Sequence, residues 1–476
     1  MRNLLGAVCL LLGACAQTQT PDIAIRGATV VDVTDGSLHP GQTVLVAGHR
    51  IVAVGPDDAV RVPLGTQTLE AAGDYLVPGL WDTHVHSAGS VGWHFPLFIA
   101  YGITSVRNMH TNVDHPLEFV VSIKRRVGSG ELLGPRFLAN GGVVDGDPPV
   151  HQGSVVVRNA EEARAAVDRL VDGGADFIKV YDRLSREAYF AILERAKERG
   201  IPVDGHLPPL IRPEEAAAAG QRTIEHTSGI TMGCASGADA VRADYERYLE
   251  QVPQMRPFPD QAVGFFSLVR RALDERDAEL CRRTARVFNE QGVVSVPTLV
   301  ESLNAKTFVA DETRMALLPT SVRNKWKAMA EGPPDPIAET LGPAGGDAAV
   351  ANVRVLHEEG VTILAGTDLG NPFLVPGLSL HRELERLTEA GLSPLEALQA
   401  ATLLPARAFG MEDSLGTIER GKLADLVLLG ANPLDQISNT QRIRAVVANG
   451  RLFQRADLDG LLAKVAAMDV RATDRY

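Results

Sequence analysis

Six side chains able to bind a cation or carry a proton stand out along this chain: His84, His86, Lys179, His206, His226 and Asp368. The first two end the stretch Leu76-Val-Pro-Gly-Leu-Trp-Asp-Thr-His-Val-His86, one residue apart. Strand side chains alternate faces, so both imidazoles project from one side. Neutral imidazole nitrogen is a common ligand of zinc and similar ions, so the pair could share a metal. Such a pair also arises by chance or on a surface. Each of the other four has an ordinary explanation too. Lysine in Phe177-Ile-Lys-Val-Tyr181 can snorkel from an edge. A strand-end histidine can be a hydrogen-bonded structural residue, and Asp368, in Thr367-Asp-Leu-Gly370, can cap a turn. Their joint placement decides.

That placement comes from an alternation of strands and helices. Strands are expected at 81–86, 103–108, 135–140, 176–181, 202–206, 223–226, 293–299 and 361–368. Helices are expected at 95–101, 117–129, 160–173, 186–199 and 213–219; in 160–173, Ala163, Val167, Leu170 and Val171 share a face. Eight strands with intervening helices are what a (β/α)8 TIM barrel requires, and such barrels build their sites at the C-terminal strand ends. His84 and His86 end the first strand, Lys179 nears the end of the fourth, and His206, His226 and Asp368 end the fifth, sixth and eighth. All six then converge on one mouth, and a metal centre explains them together.

The barrel is expected to occupy 77–411. Short strands with turns at 22–76, including a hairpin signal at Asp35-Gly36, and again at 412–456, point to a small β-sandwich built from both chain ends. Extra helix near 232–291 and 303–352 reads as insertions after the sixth and seventh strands, placed to wall the mouth. Residues 457–476 are a C-terminal tail.

Hydrophobic content of 45%, charged content of 22% and a net charge of −12 fit a folded protein and leave no electrostatic footprint for nucleic acid. Residues 1–21 read as a signal peptide and tether: a basic start, an apolar run 4–12 too short to span a membrane, then Gly13-Ala14-Cys15. Leu12-Gly-Ala-Cys15 resembles the lipobox of bacterial lipoproteins, which implies a periplasmic, lipid-anchored protein held through Cys15, with the outer membrane favoured. Ordinary cleavage nearby is the alternative. Past the leader only Cys234 and Cys281 remain, and pairing or two free thiols are both open.

With these residues in view, the chain resembles the amidohydrolase superfamily of metal-dependent hydrolases, and within it the prolidase and imidazolonepropionase-like branch. The resemblance is carried by Val77-Pro-Gly-Leu-Trp-Asp-Thr-His-Val-His86, Asp176-Phe-Ile-Lys-Val-Tyr181, Gly205-His206, Glu225-His-Thr-Ser-Gly229 and Ala365-Gly-Thr-Asp368, with 400–406 and 415–426 completing the C-terminal run. It implies a binuclear centre, most often zinc. His84, His86 and Asp368 would hold one ion, His206 and His226 the other, and Lys179 would bridge them as a carboxylated lysine. An unmodified Lys179 beside a single ion is the other arrangement. The implied chemistry is attack by a metal-activated hydroxide on an amide-type carbonyl, with Asp368 accepting the proton and passing it to the leaving nitrogen.

Tyr181, two residues past Lys179, could bond the carbonyl oxygen or pack at the rim. His151, in Pro148-Pro-Val-His-Gln-Gly153, could meet a substrate carboxylate; Asn108 and His110 are further candidates, and His381 is expected to pack the last barrel helix. The branch resemblance implies a small amide or peptide-like substrate, such as a dipeptide or N-acyl amino acid. A deaminase or cyclic-amide hydrolase on the same centre is the alternative. A non-catalytic lipid-anchored binding protein would be expected to lose ligands, and none is missing here. Homo-oligomerisation is left open.

Overall fold

The structure, a computed structural model, describes residues 20–110, 116–302 and 309–470. Most of the leader, with Cys9 and Cys15, lies outside the described residues, as do the last six positions. No described helix is long and apolar enough to cross a membrane.

The chain opens with β1 (Ile23–Val31), β2 (Leu38–Ala47), β3 (Arg50–Pro56), β4 (Gln67–Glu70) and β5 (Tyr75–Pro78). The β1–β2 hairpin turns as the pattern predicts: Asp32 Oδ1 accepts from Thr34 N at 2.8 Å, and Gly36 takes φ +80°, a region open to glycine. The barrel strands follow: β6 (Leu80–Val85), β7 (Ile103–Asn108), β8 (Arg136–Asp145), β9 (Val155–Val156), β10 (Phe177–Val180), β11 (Val203–Gly205), β12 (Thr223–Glu225) and β13 (Val294–Val296). The chain then returns through β14 (Leu426–Leu429), β15 (Ile443–Ala448) and β16 (Arg451–Gln454).

Strands from both ends form one eight-stranded sheet, ordered β16-β15-β14-β5-β1-β2-β3 with β4 also on β1. The junction is the antiparallel pairing of β5 with β14, where Val77 faces Val427. Ile25, Val44, Val46, Leu76, Leu426, Leu428 and Val447 bury a separate apolar core on it. The structure thus joins the two ends as expected, through a single continuous sheet; a second sheet packed against it, as a sandwich needs, is not found among the described residues.

The middle of the chain is a TIM-barrel-like α/β fold. Parallel pairing runs β6-β7-β8-β10-β11, with β9 beside β8, and β12 pairs with β13. Helices return the chain between strands. Ala160–Asp172 starts at Asn159, whose side chain accepts from Glu162 N, and buries Ala163, Ala166, Val167 and Leu170. Arg186–Arg199 is capped by Ser185 and stopped by Gly200 at φ +65°.

One expected strand takes another form. Residues 361–368 make no regular strand; single bonds hold them between β13 and β6, with Ser295 N donating to Thr362 O and Thr83 N to Ala365 O. The backbone also runs close to its neighbours here. A Cβ on Gly366 would stand 2.6 Å from Val296 Cγ1 and 2.9 Å from His84 Cβ. Asp368 then turns to φ +57°.

Among the described residues the regions beyond β12 and β13 are helical, as expected; positions 303–308 of the second lie outside them. Ala238–Gln251 and Ala262–Asp274 lie over the loop after β10: Tyr245 Oη donates to Asp182 O, and Arg183 donates to Gln261 Oε1 at 2.8 Å. Trp326, on Thr320–Glu331, packs with Trp93, Leu97 and Val465. Val465 belongs to a helix, Arg455–Ala466, so the segment expected as a tail begins as packed structure.

Candidate metal centre

The parallel strands deliver their C-terminal ends to one mouth. His84 is the fifth residue of β6, and His86 follows its end. Lys179 lies within β10, while His206 and His226 directly follow β11 and β12. Asp368 closes the irregular eighth segment, fixed by its own N–H donating to His84 O at 2.9 Å. His84 and Lys179 are buried, and Asp368 is nearly so.

The ligating atoms of His84, His226 and Asp368 all lie within 4.8 Å of one another. Asp368 Oδ1 is 3.1 Å from His84 Nε2 and 2.7 Å from His86 Nε2. Asp368 Oδ2 is 4.0 Å from His226 Nε2 and accepts from Asn371 Nδ2 at 2.7 Å. Lys179 Nζ stands 3.4 Å from His84 Nε2. The His206 ring lies 4.8 Å from that of His226, centroid to centroid. The six residues named from the sequence are gathered in one cluster.

The outer nitrogens of three histidines are engaged. His84 Nδ1 meets Glu225 Oε2 at 2.7 Å, His206 Nδ1 meets Asp182 Oδ1 at 3.0 Å, and His226 Nδ1 meets Thr298 Oγ1 at 2.7 Å. Partners of this kind orient ligating histidines. Burial pushes His206 and His226 well below the usual imidazole range, so both rings are neutral. Burial opposes the Asp368 charge, but His84 and His86 outweigh it and hold the carboxyl well below its ordinary range. Burial lowers the Lys179 amine to about 8, although Glu225 and Asp368 pull the other way. Neutral imidazoles around an ionised carboxylate are the donor set that a zinc-like cation takes. The residues fit the ion.

The mouth also carries backbone strain. His226, Thr298 and Asp368 take φ of +61°, +50° and +57°, uncommon for residues with a Cβ. Strain of this kind persists where surrounding structure enforces it, and it collects at functional sites.

On the substrate side, Tyr181 Oη and His151 Nε2 are 2.9 Å apart, and the Tyr181 ring lies 3.9 Å from that of His206. His110 sits between His86 and His151, at 5.8 and 5.4 Å. Asn108 is turned to the backbone, accepting from Ser87 N and donating to His110 O, so it shapes the loop. His381 bonds Thr440 Oγ1 and Tyr101 O in the packed interior, as its expected packing role requires.

Glu225, Arg107, Asp182 and Thr298 were not anticipated as parts of the site. The sequence held one readable signal for the first two: ionised residues inside short strands that a barrel buries on both faces.

Comparison with known proteins gives a consistent picture. The model of the family described as "Amidohydrolase family" matches residues 75–453. Adenine deaminase 3 of Rhizobium meliloti is 24% identical over 95% of this chain, a match that spans 60% of that protein's length. The imidazolonepropionase of Rubrobacter xylanophilus is 27% identical over 86% of this chain and 90% of its own. A crystal structure from Bifidobacterium longum, assigned as a prolidase, superposes with a TM-score of 0.66 at 26% identity, covering 94% of this chain and all of that one.

Proposed function

Because the chain belongs to the amidohydrolase family and is a hydrolase acting on carbon–nitrogen bonds, we propose that it cleaves the amide bond of a small peptide-like substrate, a dipeptide or N-acyl amino acid. The observation that carries this reading is the convergence of His84, His226 and Asp368 within ligating distance, with Lys179 beside His84.

In this reading His84, His86 and Asp368 would hold one divalent ion and His206 and His226 a second, zinc being the expected metal. Lys179 would serve both as a carbamate ligand, its neutral amine adding to carbon dioxide with formation of an N–C bond and release of one proton. Burial favours that neutral amine. The ions, when bound, supply Lewis acidity that polarises the carbonyl and acidifies water.

The protein's own groups do the rest. Asp368 takes a proton from the attacking water at a carboxylate oxygen and returns it to the leaving nitrogen. The Asn371 amide steadies Asp368 Oδ2 during that exchange. Tyr181 and His151 face the incoming substrate as a bonded pair and orient its carbonyl or carboxylate oxygen. The helices beyond β12 close one wall over the loop after β10.

A second reading, deamination or cyclic-amide hydrolysis, is favoured by the two curated relatives, an adenine deaminase and an imidazolonepropionase. One experiment separates them. Purified protein is assayed for metal content, then against dipeptides, N-acyl amino acids, aminopurines and cyclic amides. A free amine with a new acid supports amide cleavage; ammonia alone supports deamination. Less than about one metal per chain, with no turnover of any class, sinks both.

The leader 1–21 is part of the proposal: export, lipidation at Cys15 and a periplasmic site, outer membrane favoured. Replacing Cys15 by serine is expected to release the protein from membranes. An unchanged membrane fraction overturns the anchor.

A further inference from the structure

We propose that Arg183 is a positioning residue for substrate selection: it ties the helical insertion after β12 to the loop that presents His151, so that the insertion sets how the Tyr181–His151 pair grips the substrate. This rests on the amide-hydrolase reading above, in which that pair faces the substrate, and adds what holds the pair in place.

Two loops meet at this residue. Residues 146–153 leave the end of β8 and carry His151, whose Nε2 stands 2.9 Å from Tyr181 Oη. Arg183 lies two residues past Tyr181, in the loop after β10, and is 7% exposed. Asp145, the last residue of β8, pins both loops. Its Oδ1 accepts from Arg183 N at 2.8 Å, and its Oδ2 accepts at 2.8 Å from Val150 N, directly before His151. The loops lie so close that a Cβ on Gly146 would collide with Arg183 O. The guanidinium adds a second tie, with Nη1 donating to Pro148 O at 3.0 Å and to Pro149 O at 3.2 Å.

The third tie leaves the barrel. Nη2 donates to Gln261 Oε1 at 2.8 Å, and Gln261 ends the turn Pro257–Gln261 between the insertion helices Ala238–Gln251 and Ala262–Asp274. Gln261 is itself fixed, since its Nε2 donates to Val252 O at 3.1 Å and to Met255 O at 3.3 Å. Turned over, that amide would set its NH2 against the guanidinium, so the network decides its orientation. Tyr248 Oη donates to Gln261 O and Tyr245 Oη to Asp182 O along the same seam. One planar fork thus joins acceptors on two separate parts of the chain. Lysine would keep the charge and lose the fork.

The test compares Arg183→Lys and Gln261→Ala in the full protein, with metal content measured for each. Without substrate, hydrogen exchange of amides 146–153 is expected to quicken in both variants, while β8 and β10 keep parent protection. With the dipeptide or N-acyl amino acid turned over best, KM is expected to rise by about 5–10-fold at parent kcat and metal content, the mark of lost binding alone. The double variant is expected to match the worse single one, because both cut the same tie. Parent exchange or parent KM in folded Gln261→Ala overturns the proposal, a result that stands even if Arg183→Lys does not fold. Harm from Arg183→Lys alone overturns it too, being the pattern of an arginine that meets the substrate directly. If no substrate class is turned over, the amide reading falls, while the exchange measurement still decides the tie.

Discussion

His86 Nε2 and Asp368 Oδ1 meet at 2.7 Å although 282 positions separate them in the chain. The contact joins the first barrel strand to the irregular eighth segment, whose backbone bonds seat Asp368 against His84. A carboxylate placed there serves two tasks in the proposed reaction, ligand and proton carrier.

Asp368→Asn should therefore lose both. Turnover should fall by at least about 100-fold, the scale on which a positioned acid–base group contributes, and metal content should drop in parallel. Steady-state kinetics on the best substrate and elemental analysis of the same sample check it. A variant with full turnover removes Asp368 from the mechanism.

Lys179→Ala should abolish activity, and a small carboxylic acid added to the assay should restore part of it by replacing the missing anionic bridge. Titration of activity against acetate or propionate is the measurement. If the variant is active without any additive, the bridging role is wrong.

Tyr181→Phe deletes the hydroxyl that meets His151 at 2.9 Å and keeps the ring against His206. Loss of one substrate hydrogen bond is worth about 1 kcal/mol, so kcat/KM should fall roughly 5-fold to 10-fold with metal content unchanged. Parent kinetics would leave Tyr181 as a packing residue of the rim.

Glu383 gives a pH effect away from the metal. Burial raises its carboxyl to about 8, from an ordinary 4.5, while Oε2 accepts from Val300 N at 2.7 Å. A carboxyl raised in the folded state favours folding below its unfolded pKa, and this contribution is lost as pH rises from about 4.5 through about 8. Glu383→Gln, which stays neutral, should flatten that decline. Thermal melts at pH 5 and pH 9 should show the variant gaining on the parent at the higher pH, by roughly 2 °C for each kcal/mol recovered. Equal pH dependence in the two proteins rejects this role for Glu383.

Much of the fold and most of the centre were legible from the chain because the signals are local. Helix 186–199 begins at Ser185 and ends at Gly200, and both act through their own neighbours. His84 and His86 end an apolar run, and the barrel rule then places Lys179, His206, His226 and Asp368 beside them. Glu225 was quoted only as the neighbour of His226, because its meaning lies in Arg107 and His84, which the chain order keeps far apart. The irregular eighth segment was hidden for the same kind of reason. Val361-Thr-Ile-Leu-Ala reads as strand, and the close approach of the Gly366 backbone to Val296 and His84 exists only once the barrel has assembled.

The pairing of β5 with β14 has a consequence for the order of events during synthesis. Val77 cannot find Val427 until the whole barrel sequence has been made, so β5 leaves the ribosome with one edge bare. The barrel's first strand begins two residues after β5 ends, and its start is thus tied to a sheet that is completed last. A chain cut short before β14 would retain every proposed metal ligand and still expose the apolar edge around Leu76 and Val77. Such a product is a substrate for aggregation or proteolysis rather than a smaller enzyme.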